Sequence, residues 1–164
     1  MTDITLRPAT LEDIPILQHW DEQPHVIAAS GEDDEWEWEE EIAKDSPYVE
    51  LFIAMLGDHP IGMVQIIDPA NEETHYWGEV EQDLRAIDIW IGEADDLGKG
   101  YGAQMMNLAF DHCFSNPKVT AIIIDPLITN TDAIRFYKRL GFKFVEYRTF
   151  GEDECMVMRL ERKN

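Results

Sequence analysis

The sequence is short of basic residues, of cysteine and of long apolar runs, and each shortage removes a class of protein. Thirteen Lys and Arg stand against 34 Asp and Glu, a formal charge of −21 at pH 7. Nucleic acid and anionic membranes are bound through basic surfaces, so neither is expected as a partner. No apolar stretch approaches the roughly 18 residues that a membrane span needs, and Met1–Leu6 lacks the basic start and apolar run of a secretory leader. A cytoplasmic protein is expected. Cys113 and Cys155 have no C-x-x-C or other ligand spacing, which excludes a disulfide framework and leaves two free thiols. His19, His25, His59, His75 and His112 are scattered without ligand spacing, so no metal is expected.

What is present suits one ordinary domain spanning residues 1–164: 45% hydrophobic residues with five Trp, seven Phe and five Tyr can bury a core without crosslinks. The charge is unevenly spread. Residues 21–83 hold 19 acids and one base, Lys44, a net of −18, while the other 101 residues net only −3. A solvated acidic surface would account for this, and so would a first half that receives a polycation beside a second half that receives an anion.

The hydrophobic pattern predicts an α+β domain around a mixed sheet. Ile4-Thr5-Leu6-Arg7 alternates as a short strand, and Thr10 caps an amphipathic helix that ends by Pro24. Gly31–Lys44 reads as a charged second helix, with Trp36 and Trp38 either packed beneath it or lining a binding site. Glu50–Leu56 and Ile61–Ile67 form a hairpin around Gly57-Asp58-His59-Pro60, and residues 68–83 make a long acidic loop. Leu84–Ile91 alternates again, with Ala86, Asp88 and Trp90 on one face. Leu97-Gly98-Lys99-Gly100-Tyr101-Gly102 turns into a helix ending near Phe114. Val119–Ile124 reads as a doubly covered strand, Thr129, Asn130 and Thr131 as caps of a helix that closes at Gly141, and Phe142–Arg148 with Cys155–Glu161 as a final hairpin.

The strand, glycine-rich turn and helix at 84–114 carry the most chemistry. Gly98, Gly100 and Gly102 let backbone approach a bulky anion, and the free N–H groups at the helix start face it with the positive end of the helix dipole. A phosphate or pyrophosphate fits there, with Lys99 adding charge. The turn is neither a Walker loop nor a dinucleotide fingerprint, because no G-K-[ST] follows and no β-α-β unit opens the chain.

The order of elements, with A-I-R-F-Y-K-R-L-G-F at 133–142, resembles the GNAT superfamily of acetyl-CoA-dependent N-acetyltransferases over essentially the whole chain. Leu97 departs from the family pattern, which has a polar residue at the start of the turn. Within the superfamily, I-D-I-W-I, L-G-K-G-Y-G, N-x-x-A-I-R-F-Y and P-I-G-M-V-Q are similar to aminoglycoside 6′-N-acetyltransferases of the Ib type. The resemblance implies a GNAT fold with a mixed sheet of about seven strands flanked by about four helices. It implies acetyl-CoA as co-substrate, no metal, and a cationic small-molecule amine, an aminoglycoside, as acceptor. Two other readings stay open: a GNAT enzyme acting on another amine or hydroxylamine (a polyamine, a siderophore precursor, a protein amine), and an acyl-CoA-binding module without turnover. Monomer and homodimer are equally compatible.

Residue by residue, the resemblance assigns Asp88 as base and ammonium anchor and Tyr137 as the acid that protonates the leaving thiolate. Cofactor binding falls to Leu97, Gly98, Lys99, Gly100, Tyr101, Gly102 and Ala103. The backbone N–H groups of Trp90 and Ile91 would take the thioester carbonyl and pantetheine arm, and Asn130 would hydrogen-bond that arm. Carboxylates for ammonium groups and aromatic faces for sugar rings are implied at Glu73, Tyr76, Trp77, Asp88, Asp125 and Glu152; Glu73 and Glu152 stand where the Ib type has Asp.

Overall fold

The computed structural model describes residues 3–30, 37–44 and 46–163. Among them are seven strands and five α-helices: β1 (Ile4–Pro8), α1 (Ile14–Asp21), α2 (Pro24–Ser30), α3 (Trp38–Ala43), β2 (Val49–Leu56), β3 (His59–Ile67), β4 (Leu84–Ile91), α4 (Tyr101–Phe114), β5 (Ala121–Ile124), α5 (Thr131–Leu140), β6 (Lys143–Phe150) and β7 (Asp153–Glu161). The strands form one sheet in the order β1-β2-β3-β4-β5-β7-β6. Every neighbouring pair is antiparallel except β4 and β5, which are joined by the α4 crossover.

The alternation of each strand divides the core between the two sheet faces. Val64 and Ile66 of β3 and Ile87 of β4 pack on one face against Met105, Met106 and Ala109 of α4 and Tyr137 of α5. The opposite face carries two separate apolar clusters. Met63 and Ile53 lie under Leu17 and Trp20 of α1 and Trp38 of α3, with Trp90 packed alongside. Ile67 and Ala86 belong with Trp77 of the 68–83 loop and Phe150 of β6. Between them β3 and β4 place Gln65 and Asp88 opposite each other, so polar residues occupy the one stretch of this face that neither cluster covers.

The sheet is incomplete at its centre. The β4–β5 ladder runs only from Leu84↔Ala121 to Ala86↔Ile123. Beyond it β4 continues with β3 as far as Gly62↔Ile91, whereas the chain after β5 follows β7, with Met156 N–H donating to the Pro126 carbonyl at 2.8 Å and Ile128 N–H to the Glu154 carbonyl at 3.0 Å. A wedge therefore opens between residues 87–91 and 124–127.

Several sequence expectations change. Helix α1 ends at Asp21, before Pro24 as expected, but Pro24 also opens a further helix, α2, where its fixed φ suits a first helical position and the missing N–H costs nothing. Among the described residues the α-helices number five, close to the expected four. The first hairpin turns through Gly57-Asp58 alone, and β3 already starts at His59. β5 is limited to Ala121–Ile124, all four residues buried from both faces. Of the charged second helix, α3 is described and Trp36 lies outside the described residues; Trp38 is a core residue, 2% exposed, its indole N–H donating to Asp21 at 2.6 Å.

Candidate active site

The wedge and the uncovered polar stretch open into one cavity of about 290 Å³. From β4 it is lined by Asp88 and Trp90, from the β5 side by Ile124 and Asp125, from α5 by Tyr137, and from α2 by Val26 and Ala29. Asp88 points away from α4, as expected for a residue out of phase with Ile87 and Ile89. Tyr137 reaches the cavity from the α4 side and is only 9% exposed. Burial, with Asp88 and Asp125 nearby, pushes its phenol pKa above the ordinary tyrosine value, so the hydroxyl stays protonated at neutral pH.

The cavity is strongly acidic. Glu41, Glu72, Glu73, Asp88, Asp125 and Asp153 border it, against Lys44, which pairs with Glu41 at 3.2 Å. Two of the carboxylates organise the wall. Glu72, 3% exposed, accepts hydrogen bonds from Thr74 N–H, Thr74 Oγ1 and Tyr76 N–H, folding the 68–83 loop around itself. Glu73, next in sequence, turns outward and accepts from Ser46 Oγ at 2.8 Å, which lowers its pKa. Tyr76 donates its hydroxyl to Asp125 at 2.7 Å and stacks on Phe150 with ring centroids 4.7 Å apart, tying the loop to both β5 and β6. Burial and the Asp125 charge raise the Tyr76 pKa and keep that hydroxyl a donor.

On the other side of the wedge, Gly98 and Gly100 hold φ of +74° and +81°, and an added Cβ would meet nothing within 4 Å at either. The loop is thus free to receive a ligand at the start of α4, whose first N–H groups have no partner within the helix. Gly102 differs in that a Cβ there would lie 3.3 Å from Phe136, so its small size also serves the packing of α4 against α5. Lys99 is exposed, and Leu97 is 45% exposed.

The register also separates the two backbone groups expected to face a thioester. Gly92 N–H donates to the Ile61 carbonyl at 2.9 Å, and antiparallel ladders alternate, so Trp90 directs its N–H toward Met63 of β3 and Ile91 directs its own into the wedge. These features fit an extended acyl-pantetheine arm, which carries amides that can pair with a strand edge and ends in a pyrophosphate suited to the α4 turn.

Asp88, Tyr137, Trp90, Asn130, Glu73, Tyr76 and Asp125 are brought together around the cavity. Asn130 lies there as the N-cap of α5, its Oδ1 accepting from Ala133 N–H at 3.2 Å. Two expected acceptor contacts are elsewhere. Trp77 is 2% exposed and packs edge-on against Phe150, so its ring builds the core under the loop. Glu152 sits in the exposed β6–β7 turn, and its neighbour Asp153 borders the cavity instead. Gln65, Glu72 and α2 were not anticipated; a lone Gln within the apolar run of β3 was the available signal for the first, while Glu72 is one acid among many. Among the described residues, no group of three or more His, Cys, Asp or Glu is placed to hold a metal ion.

Comparison with known proteins agrees with this geometry. The family model described as acetyltransferase (GNAT) domain matches residues 9–150. An aminoglycoside N(6′)-acetyltransferase type 1 of Klebsiella pneumoniae is 31% identical over 150 residues, 85% of this chain and 74% of that one. Solved structures of AAC(6′)-Ib resemble the fold throughout. The complex with ribostamycin and coenzyme A has a TM-score of 0.85 at 27% identity, covering 98% of this chain and 94% of that one. The complex with coenzyme A and kanamycin has a TM-score of 0.82 at 27% identity, covering 98% and 95%.

Proposed function

The chain belongs to the GNAT acetyltransferase family, and from that premise we propose that it acetylates the 6′-amine of aminoglycosides by direct attack within a ternary complex. The observation that carries the choice of acceptor is the cavity wall: among the described residues, six carboxylates and one lysine, already engaged with Glu41, suit a substrate bearing several ammonium groups.

Acetyl-CoA supplies the acetyl group as an activated thioester. The α4 turn at Gly98–Gly100 holds its pyrophosphate, and Ile91 N–H, directed into the wedge, holds the carbonyl oxygen on which negative charge develops. Asp88 anchors the acceptor ammonium on the opposite face of β4 and takes its proton, directly or through water, leaving a nitrogen lone pair for attack. As the new C–N bond forms and the C–S bond breaks, the electron pair passes to sulfur, and Tyr137 donates the proton that completes the thiol. A phenol that remains protonated at neutral pH is suited to that step. Glu73 and Asp125 hold further ammonium groups, and Tyr76 orients Asp125.

The test is a thiol-release assay with purified protein and acetyl-CoA, comparing kanamycin and tobramycin with spermidine, lysine derivatives and peptides. Release with the aminoglycosides and acetylation at N6′ by mass spectrometry are expected. Turnover confined to the other amines refutes the acceptor; coenzyme A binding without turnover refutes catalysis.

A further inference from the structure

One hydrogen bond at the mouth of the wedge ties a side chain with no role above to the Ile91 peptide. His25, on α2, places Nε2 2.7 Å from the carbonyl oxygen of Ile91, 66 residues away in the chain. A carbonyl only accepts, so Nε2 carries the proton in this contact. The Ile91 carbonyl points the same way as the Ile91 N–H, toward the side vacated by β5, because Gly92 and Trp90 use the β3 side. The imidazole therefore stands where a third strand would otherwise satisfy β4. The same helix contributes Val26 and Ala29 to the cavity, so it borders the donor wedge and the acceptor site at once. A second tie lies beside it: His19 of α1 meets Glu93 at 2.9 Å, just past the end of β4. The indole of Trp20 fills the space over Gly92, which leaves no room for a Cβ there, so α1 is seated on the same strand end.

We propose that His25 is a positioning residue for acetyl transfer: its Nε2–H, held by the Ile91 carbonyl, fixes α2 as the wall shared by donor and acceptor and keeps the Ile91 peptide aimed into the wedge. This rests on the transferase reading above. The role requires a donor at Nε2 and no proton transfer, since the contact survives whether the ring is neutral in the Nε2–H form or fully protonated. Losing the bond frees α2 and the Ile91 peptide together, so affinity for donor and acceptor falls in parallel. A single hydrogen bond of this kind corresponds to roughly a three- to ten-fold effect.

Two substitutions test it on the full-length protein. His25→Gln keeps an N–H at similar reach, and His25→Phe keeps the ring without a donor. Calorimetry with coenzyme A is expected to show about three- to ten-fold weaker binding for His25→Phe and binding within about two-fold of the parent for His25→Gln. In steady-state kinetics, KM for both substrates rises in the Phe variant, and the pH profile of kcat in the Gln variant superimposes on the parent's. Nitrogen-15 imidazole spectra of the unaltered protein are expected to show the neutral ring of His25 as the Nε2–H tautomer, a reading independent of variant folding and of turnover. An Nδ1–H tautomer overturns the inference, as does parental coenzyme A affinity in a folded His25→Phe. Loss of a limb of the pH profile in the Gln variant also overturns it, by making His25 an acid or base. If the parent protein acetylates no amine, the transferase reading fails instead, while tautomer and coenzyme A affinity still report on the His25 contact.

Discussion

Removing the Glu72 carboxylate should loosen the acceptor wall without touching the donor side. The group is 3% exposed and satisfies two backbone N–H groups and one hydroxyl, all within residues 74–76. In Glu72→Ala those two N–H groups lose a charged acceptor. Hydrogen bonds to charged groups contribute about 1.5–3 kcal/mol each, but Thr74 and Tyr76 are exposed enough for water to replace part of the loss. A net cost of about 2–3 kcal/mol follows, or about 5–10 °C in Tm at the scale usual for 150–250 residues. Glu72→Gln, which keeps one acceptor oxygen, should lose about half as much. Because the 68–83 loop carries Glu73 and Tyr76 but none of the α4 turn, KM for the aminoglycoside should rise several-fold while KM for acetyl-CoA stays near the parent value. Thermal melts monitored by circular dichroism and initial-rate kinetics with each substrate varied provide both readings. A Tm within about 2 °C of the parent together with unchanged acceptor KM would refute the view that this carboxylate builds the wall.

Tyr137→Phe should lower kcat by about 100-fold, the low end for general-acid catalysis because a thiolate leaves readily, with acetyl-CoA affinity nearly unchanged; an equal kcat removes Tyr137 from the mechanism. Since burial raises the phenol pKa, the parent enzyme should also show no alkaline loss from this group below pH ~10, where an ordinary tyrosine would begin to ionise. Asp88→Asn should reduce kcat by roughly 100- to 1,000-fold and reshape the pH–rate profile, and an unchanged profile counts against its role as base. Asp13 is held below the usual carboxylate pKa by the Arg7 guanidinium, which it meets through both oxygens. A depressed folded-state pKa stabilises the fold above the unfolded value of about 4, and that stability is lost as pH falls through the folded value. Asp13→Asn should therefore narrow the stability difference between pH 7 and pH 3, as measured by urea unfolding at each pH.

The parts of the molecule that could be read in the sequence are those set by local chemistry. The glycine turn at Leu97–Gly102 located the start of α4 to within two residues, the continuous apolar run located β5 with two residues too many at its start, and the caps offered for α5, Thr129, Asn130 and Thr131, include the observed Asn130. Asp88 could be placed on the face opposite Ile87 and Ile89 by alternation alone, whereas the charge split accounts for half of the acidic wall: Glu41, Glu72 and Glu73 lie within 21–83, and Asp88, Asp125 and Asp153 outside it. The misses depend on partners distant in the chain. Trp77 belongs to the core because Phe150 arrives under it from β6, and nothing near residue 77 announces that. The contact of Gly102 with Phe136 of α5, 34 residues on, is likewise invisible from the glycine turn alone. Pro24 reads as a limit to α1, which ends at Asp21, while the helix it opens, α2, shows its place only where it packs along β4.

The short β4–β5 ladder has a consequence for how this site tolerates sequence drift. Past Ala86 and Ile123 the strand keeps main-chain groups that no neighbouring strand uses, and a donor that pairs with them reads peptide units rather than side chains. Apolar exchanges at Ile89 or Ile91 that respect the core should therefore leave donor affinity intact, whereas proline at Ile91 would delete an N–H that faces the gap. Selection on donor use would then act on backbone geometry, leaving the acidic wall opposite as the surface on which acceptor range can change residue by residue.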